Sequence, residues 1–278
     1  MTLGEIRRAP RPDILARLLN GNLPDEGALS EEPSDPAEII MRGLMPPLLH
    51  CASPQSWVRW WEGYVATYLE RDLRQIAQID ALVDFRRLME LLALRSGHLL
   101  NQSALARDAH MSQPTVYRYL GLLEATHLFE RLPAYAVSHT TRLLKSPKIL
   151  LNDPGLAVFL SGYYTVDDVR AAREYGAYFE TLIYHHLRVL TRLMTPAGRL
   201  FFWRTRDGTE VDFVVEHGRK VVAIEVKSAS HPGYGDVAGL RAFLDDHPHA
   251  AAGILLHSGR AIRRLGEKIV ALPWMMLA

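Results

Sequence analysis

Among 278 residues there is one cysteine, Cys51, so no intramolecular disulfide and no multi-cysteine zinc or iron-sulfur site can form. Its simplest role is a small apolar side chain in a reducing compartment. A surplus of charge is missing too: 32 Lys and Arg stand against 31 Asp and Glu, a net +1. Indiscriminate coating of nucleic acid needs excess positive charge, so any nucleic-acid contact must come from a local basic patch. No stretch approaches the roughly 20 uninterrupted apolar residues of a membrane span. The opening MTLGEIRRAPRPDILARLLNG carries charge where a secretory signal needs an apolar core. Both absences lead to the expectation of a cytoplasmic protein without membrane contact.

Chemical motifs are missing as well. GxxxxGK followed by Ser or Thr does not occur, and the neighbourhoods Gly218-Arg219-Lys220 and Gly266-Glu267-Lys268 lack its spacing, so there is no Walker A loop to cradle a nucleotide phosphate. A Gly-x-Ser-x-Gly elbow is absent and Cys51 has no base beside it, which leaves acyl transfer without support. His185-His186 and His247-Pro248-His249 lack the helical i, i+4 spacing of a zinc pair and read as surface or packing residues.

What remains is an ordinary globular composition, 48% hydrophobic and 23% charged, long enough for two domains. Seven prolines and an acidic run fill the first 50 residues, so 1–52 is expected to be short helices such as Ile14–Leu19 joined by linker. Residues 53–155 read as a helical domain. Trp57, Trp60, Trp61, Tyr64, Val65, Tyr68 and Leu69 recur at helical intervals after Ser53-Pro54, and Leu82 to Arg95 repeats the pattern. Ala104, Leu105 and Ala109 form a small apolar face. Ser112 caps a following helix with Pro114 in its first turn, and Val116, Leu120 and Leu123 continue at i, i+4 and i+7. This predicts a helix-turn-helix, exposing Gln113, Thr115, Tyr117 and Arg118 to DNA bases or phosphates. Strands at Leu128–Leu132 and Lys148–Leu151 around a loop with Arg142, Lys145 and Lys148 extend it to a winged helix. A packing or protein-interaction module is the alternative.

After Asp153-Pro154-Gly155, residues 156–278 follow an α/β pattern: a long helix over Asp167 to Leu193, strands at Arg199–Thr205, Val211–Val215 and Val221–Val226, a helix at Asp236–Asp245 and a strand at Gly253–Leu256. Strand alternation puts Glu210 and Asp212 on one face opposite Val211 and Phe213, and Glu225 and Lys227 on one face of the next strand. Carboxylates held close repel unless a cation lies between them, and oxygen donors favour Mg²⁺ or Mn²⁺ over zinc. A lysine two residues on can orient water or stabilise charge on a phosphorane-like transition state. Glu180 is a further carboxylate, inside the preceding helix. The competing expectation is a solvated sheet face with a surface ion pair, with Glu180 in an ion pair of its own.

The order helix-Glu180, strand-Asp212, strand-Glu225-x-Lys227 resembles the PD-(D/E)xK nuclease core, with Glu-Val-Asp in place of Pro-Asp and 13 residues from Asp212 to Glu225. That resemblance implies a restriction-endonuclease-like α/β domain in which Asp212, Glu225 and Glu180 hold the metal and Lys227 assists the nucleophile. In a wider match, YVATYLERDL, the helix-turn-helix, KSPKILLNDPGL, YGAYFETLI, EVDFVV and IEVKS, in that order, are similar to the C-terminal region of prokaryotic AAA-type ATPases. It implies a winged helix joined to a nuclease-like domain, a metal-dependent endonuclease or exonuclease acting on DNA, and an ATPase partner, since the P-loop module is not in this sequence. The proline-rich start resembles the family's lid-to-linker region, as in a fragment or truncated gene product. The alternative is an inert DNA-binding or protein-assembly module.

Overall fold

The computed structural model describes residues 1–30, 34–72, 82–136 and 145–278. In chain order its elements are helices α1 (Leu3–Arg7) and α2 (Ile14–Leu19), the short strand β1 (Gly27–Ala28), α3 (Pro36–Arg42) and α4 (Pro54–Tyr64), which runs on as a wider π-type helix over Val65–Asp72. Next come α5 (Leu82–Leu94), α6 (Gln102–Ala109), α7 (Gln113–Ala125), β2 (Phe129–Leu132), β3 (Lys148–Leu151), α8 (Pro154–Leu160), α9 (Val166–Ala171) and α10 (Tyr175–Arg192). The last are β4 (Arg199–Arg204), β5 (Glu210–His217), β6 (Lys220–Lys227), α11 (Ala238–Asp246), β7 (Ala252–His257), β8 (Ala261–Arg264) and β9 (Ile269–Pro273).

This mixed α/β chain divides into two compact units, one of Met1–Pro36, Leu132–Lys145 and Leu182–Ala278, the other of Ala37–Arg131 and Ser146–Thr181. The division is interleaved in sequence, unlike the expected consecutive blocks 1–52, 53–155 and 156–278.

The first unit is built on a seven-stranded sheet in the order β1-β8-β9-β7-β6-β5-β4. Strands β6, β7 and β9 run parallel, and the outer pairings are antiparallel. A parallel neighbour needs a crossover, and α11 supplies it between β6 and β7. Leu240 and Phe243 of α11, with Val237 before it, are fully buried in one cluster with Val221, Ala223, Leu255 and Ala271 of the sheet. Each such large side chain contributes roughly 2–3 kcal/mol. On another strand Phe213 is fully buried and stacks on Tyr184 of α10, centroids 6.2 Å apart.

In the N-terminal segment the expected helix Ile14–Leu19 is present, and it is packed. Ile14, Leu15, Leu18 and Leu19 form an i, i+1, i+4, i+5 stripe, and all four are buried. Gly27 and Ala28 of β1 pair with Ile262 and Ala261 of β8 and complete the sheet edge. The loop between β2 and β3 carries residues expected in a wing. Its described start leaves β2 and bridges Ala134 in parallel to Phe202 of β4, with Phe202 N donating to Pro133 O at 3.1 Å. Tyr135 then joins the aromatic cluster of Phe201, Trp203 and Phe243, because an apolar ring there buries more surface than a loop tip can.

The second unit contains helices α6 and α7, joined by a short turn. Asn101 caps α6 by accepting Ala104 N at 3.0 Å, and Ser112 caps α7 by accepting Thr115 N at 3.2 Å. His110 closes α6 in the left-handed region at φ 57°. Leu105, Ala106 and Ala109 of α6 and Val116, Tyr119, Leu120 and Leu123 of α7 are buried, and Tyr119 meets Phe85 of α5 edge-on at 5.2 Å. Strand β3 pairs with β2 on one side. On the other it pairs with residues 97–100, Gly97 N donating to Ile149 O at 2.7 Å and Ile149 N to His98 O at 3.0 Å. Asp153-Pro154-Gly155 starts α8 instead of breaking the chain: Asp153 Oδ1 accepts Gly155 N at 2.8 Å, and proline suits a first turn. The single long helix expected from Asp167 is two, because Ala172 takes an extended ψ of 138° between α9 and α10.

Candidate functional site

The densest chemistry lies where β5 meets β6. Strand β5 carries an extra residue here: Phe201 faces Val214 and Trp203 faces Val211, so three steps of β5 oppose two of β4 across Asp212 and Phe213. A bulge of this kind re-aims side chains, and it breaks the alternation read from the sequence. Val211 joins Val214 in the cluster under α11, while Phe213 turns to Tyr184. The β5–β6 ladder runs to Phe213 opposite Ile224, and one step on, Asp212 Oδ2 accepts Val226 N at 2.8 Å. Strand β6, anchored to β7 from Val222 to Lys227, holds Glu225 and Lys227 beyond that point.

Glu225 is 9% exposed, and its Oε1 accepts Lys227 Nζ at 2.7 Å. Burial alone would lower the lysine, but the charge and hydrogen bond of Glu225, followed by the charges of Asp212 and Asp236, hold Lys227 above the usual ammonium range. Lys227 is therefore a fixed cation at neutral pH, suited to meeting negative charge and unsuited to accepting a proton. The structure thus brings Asp212, Glu225 and Lys227 into one electrostatic group. Asp212 and Glu225 supply carboxylate oxygens, the donor type that Mg²⁺ or Mn²⁺ takes. Among the described residues no group of three or more His, Cys, Asp or Glu gathers to hold a metal. Glu210, beside the bulge, pairs with Arg204 at 3.1 Å.

Two residues of this region escaped the sequence reading. Asp236 acts electrostatically on Lys227 and accepts Gly233 N at 2.8 Å, a cap-like spacing visible as Gly233-x-x-Asp236. Gly239 lets α11 approach β5 so closely that a Cβ there would lie 2.1 Å from the Glu210 carbonyl oxygen. No local pattern announces that approach.

Glu180 takes part in an ion pair with Lys148. In the second unit, Lys148 Nζ lies 3.0 Å from Glu180 Oε1, and Lys148 is only 2% exposed. A buried lysine held by a carboxylate is not placed to meet a DNA phosphate, which corrects its assignment to a wing. Lys145 is exposed and donates to Arg204 O at 3.2 Å. Arg142 lies outside the described residues. On α7, Gln113, Tyr117 and Arg118 are exposed, Tyr117 at 63%, while Thr115 is half-buried with its hydroxyl 2.8 Å from Ser112 Oγ. Among the described residues no helix is long and apolar enough to cross a membrane.

Comparison with known proteins assigns no activity. No solved structure matches the chain. It is 31% identical over 236 residues, 84% of its length, to an uncharacterised protein of Mycobacterium bovis, and equally so to one of Mycobacterium tuberculosis. The chain spans about half, 51%, of each of these relatives. Residues 34–167 match a domain of unknown function, DUF8612, and residues 175–277 match another, DUF4143, so the chain carries two successive regions each similar to a family without an assigned role.

Proposed function

We propose that the chain is a DNA-handling module of an AAA-type ATPase system. In this reading α6, α7, β2 and β3 act as a winged helix on DNA, and Asp212, Glu225 and Lys227 form a PD-(D/E)xK-type phosphodiesterase site. The observation that supports it is at the β5 bulge, where the Asp212 carboxylate accepts Val226 N, one residue from Glu225, whose own carboxylate holds the Lys227 ammonium. Mg²⁺ or Mn²⁺ held by Asp212 and Glu225 would supply Lewis-acid polarisation and an activated water. Lys227, kept protonated by Glu225, stabilises the charge that develops on the phosphorus oxygens. The Val226 N–H fixes the orientation of Asp212. Gln113, Tyr117 and Arg118 supply hydrogen bonds, ring contact and charge to DNA, and the ATPase partner supplies force or access.

The internal pairing of Asp212 with Val226 and of Glu225 with Lys227 favours a second reading, a catalytically inert DNA-binding or assembly module working with the same partner. The two separate cleanly. Supercoiled, linear and single-stranded DNA are incubated with the protein and Mg²⁺ or Mn²⁺, beside Asp212→Ala and Lys227→Ala. Cleavage lost in both variants is expected; no cleavage in any condition, or cleavage unchanged in both, removes the enzymatic reading.

A further inference from the structure

The carboxyl ends of parallel strands are where open α/β sheets gather ligand-binding loops. Here those ends carry groups that the chemistry above does not use. Register runs level across the sheet: Glu225 of β6 faces Leu255 of β7, Leu255 faces Ala271 of β9, and Ala271 faces Arg263 of β8. Level residues share a face, so Arg263 stands on the same face as Glu225, three strand spacings or about 14 Å away.

The loop after β6 crosses part of that gap. Its Pro232 carbonyl accepts Arg263 Nη1 at 3.4 Å, and His231 Nδ1 lies 2.8 Å from Ser230 Oγ. Ser258, in the β7–β8 turn, donates from Oγ to Ser228 O at 2.7 Å and from its backbone N to Ala229 O at 3.3 Å. Gly259 permits the closeness, since a Cβ there would lie 2.0 Å from Ser230 O. Beneath the two loops His257 is 1% exposed; its Nδ1 accepts Gly259 N and its Nε2 donates to Ala261 O at 2.9 Å. Burial first, then the charges of His231 and Arg263, hold that imidazole below its usual range against the pull of the Ala261 carbonyl. His231 and Arg263 are both exposed, and among the described residues no carboxylate pairs with either. Two loops joined through Ser258 therefore present an arginine and a histidine at the end of the sheet that carries the acidic site, with His257 bracing the β7–β8 turn.

We infer that Arg263 and His231 form a backbone-phosphate subsite for a nucleic-acid strand whose reacting phosphodiester lies at Asp212 and Glu225. The inference rests on the phosphodiesterase reading of that site. At about 3.4 Å of rise per nucleotide, the separation corresponds to roughly four nucleotides along one strand. A guanidinium suits a phosphate because its fork can donate two parallel hydrogen bonds.

Fluorescence anisotropy with a labelled single strand and a labelled duplex, each long enough to span both positions, tests it in EDTA over a range of KCl. Arg263→Gln is expected to weaken binding at least threefold and to reduce the slope of log affinity against log salt by about one; Arg263→Lys keeps the slope, and His231→Gln adds a smaller loss. Affinity and slope unchanged in both Gln variants overturn the subsite. Parallel cleavage assays with Mg²⁺ keep the two readings apart. A reduced slope without cleavage by the native protein retains the subsite and removes the enzyme, whereas cleavage with unchanged binding by Arg263→Gln removes the subsite alone.

Discussion

The ammonium of Lys148 and the carboxylate of Glu180 meet at 3.0 Å in the interior of the second unit, their side chains 3% and 14% exposed. Gly97, at φ 83°, passes over this pair, where a Cβ would lie 3.0 Å from Glu180 Oε2. Removing one charge strands the other away from water. Glu180→Gln is therefore expected to destabilise the protein by about 3–5 kcal/mol in urea unfolding, and the double variant Lys148→Met with Glu180→Leu to recover most of that. If Glu180→Gln is silent, the pair has no structural role.

At Asp212 structure and chemistry can be pulled apart. Asparagine keeps an oxygen for Val226 N–H but loses the charge, so Asp212→Asn should stay within about 1 kcal/mol of the native stability. Its cleavage should fall at least a hundredfold. Asp212→Ala leaves that N–H without its acceptor and should cost a further 1–3 kcal/mol, roughly. Equal melting temperatures for the two variants would show that the hydrogen bond contributes nothing.

Gly239→Ala drives a methyl group to 2.1 Å from the Glu210 carbonyl oxygen. Either α11 or the bulge must move, at a cost of about 1–3 kcal/mol or more. Gly235→Ala, where a Cβ meets nothing within 4 Å, is the control and should be near neutral. Differential scanning fluorimetry on the two decides the matter.

His186 makes stability fall in acid. It is completely buried, accepts Leu3 N–H at Nε2 (3.0 Å) and donates from Nδ1 to Leu182 O (2.9 Å). Burial, only partly offset by the Leu182 carbonyl, pushes its pKa down to about 3 from 6.5. Between those values the unfolded chain binds the extra proton, so stability rises with pH across this window and is lost as pH falls from 6.5 toward 3. His247 and His257 are lowered too and add in the same sense. His186→Gln should flatten the dependence of Tm on pH between neutrality and about pH 5. An unaltered slope would place the acid sensitivity elsewhere.

DNA affinity should depend on α7 and not on the buried lysine. Arg118→Ala is expected to lower the salt slope by about one, and Tyr117→Ala to weaken binding severalfold. Lys148→Met should leave the salt slope unchanged, whatever it does to stability. Salt titrations that reverse this order would move the DNA surface away from α7.

Local signals made much of the fold legible. Ser112 with Pro114 set the start of α7 correctly, and the β5–β6 hairpin showed in Asp212, Glu225 and their flanking valines. Features that depend on distant partners were not legible. The charge of Lys148 suggested an exposed wing because its partner lies 32 residues away, on helix α10. Tyr135 read as loop because its aromatic neighbours come from β4 and α11. Periodicity-two reasoning cannot see a bulge, so it puts Val211 and Phe213 on one face where the structure separates them. The grouping of Asp212, Glu225 and Lys227 was readable because adjacent antiparallel strands impose it.

The pairing of Gly27 with Ile262 also constrains the order of assembly. A ribosome must add more than 230 residues after β1 before its partner strand exists, as the Arg260 side chain that grips Leu29 O and Ser30 O does not yet exist. Closing so long a loop belongs to the slow end of folding, and the segment with α2 waits meanwhile with four large apolar side chains uncovered. This first segment of the chain is thus among the last to reach its place, and it is the stretch for which a holding chaperone has the most use during synthesis.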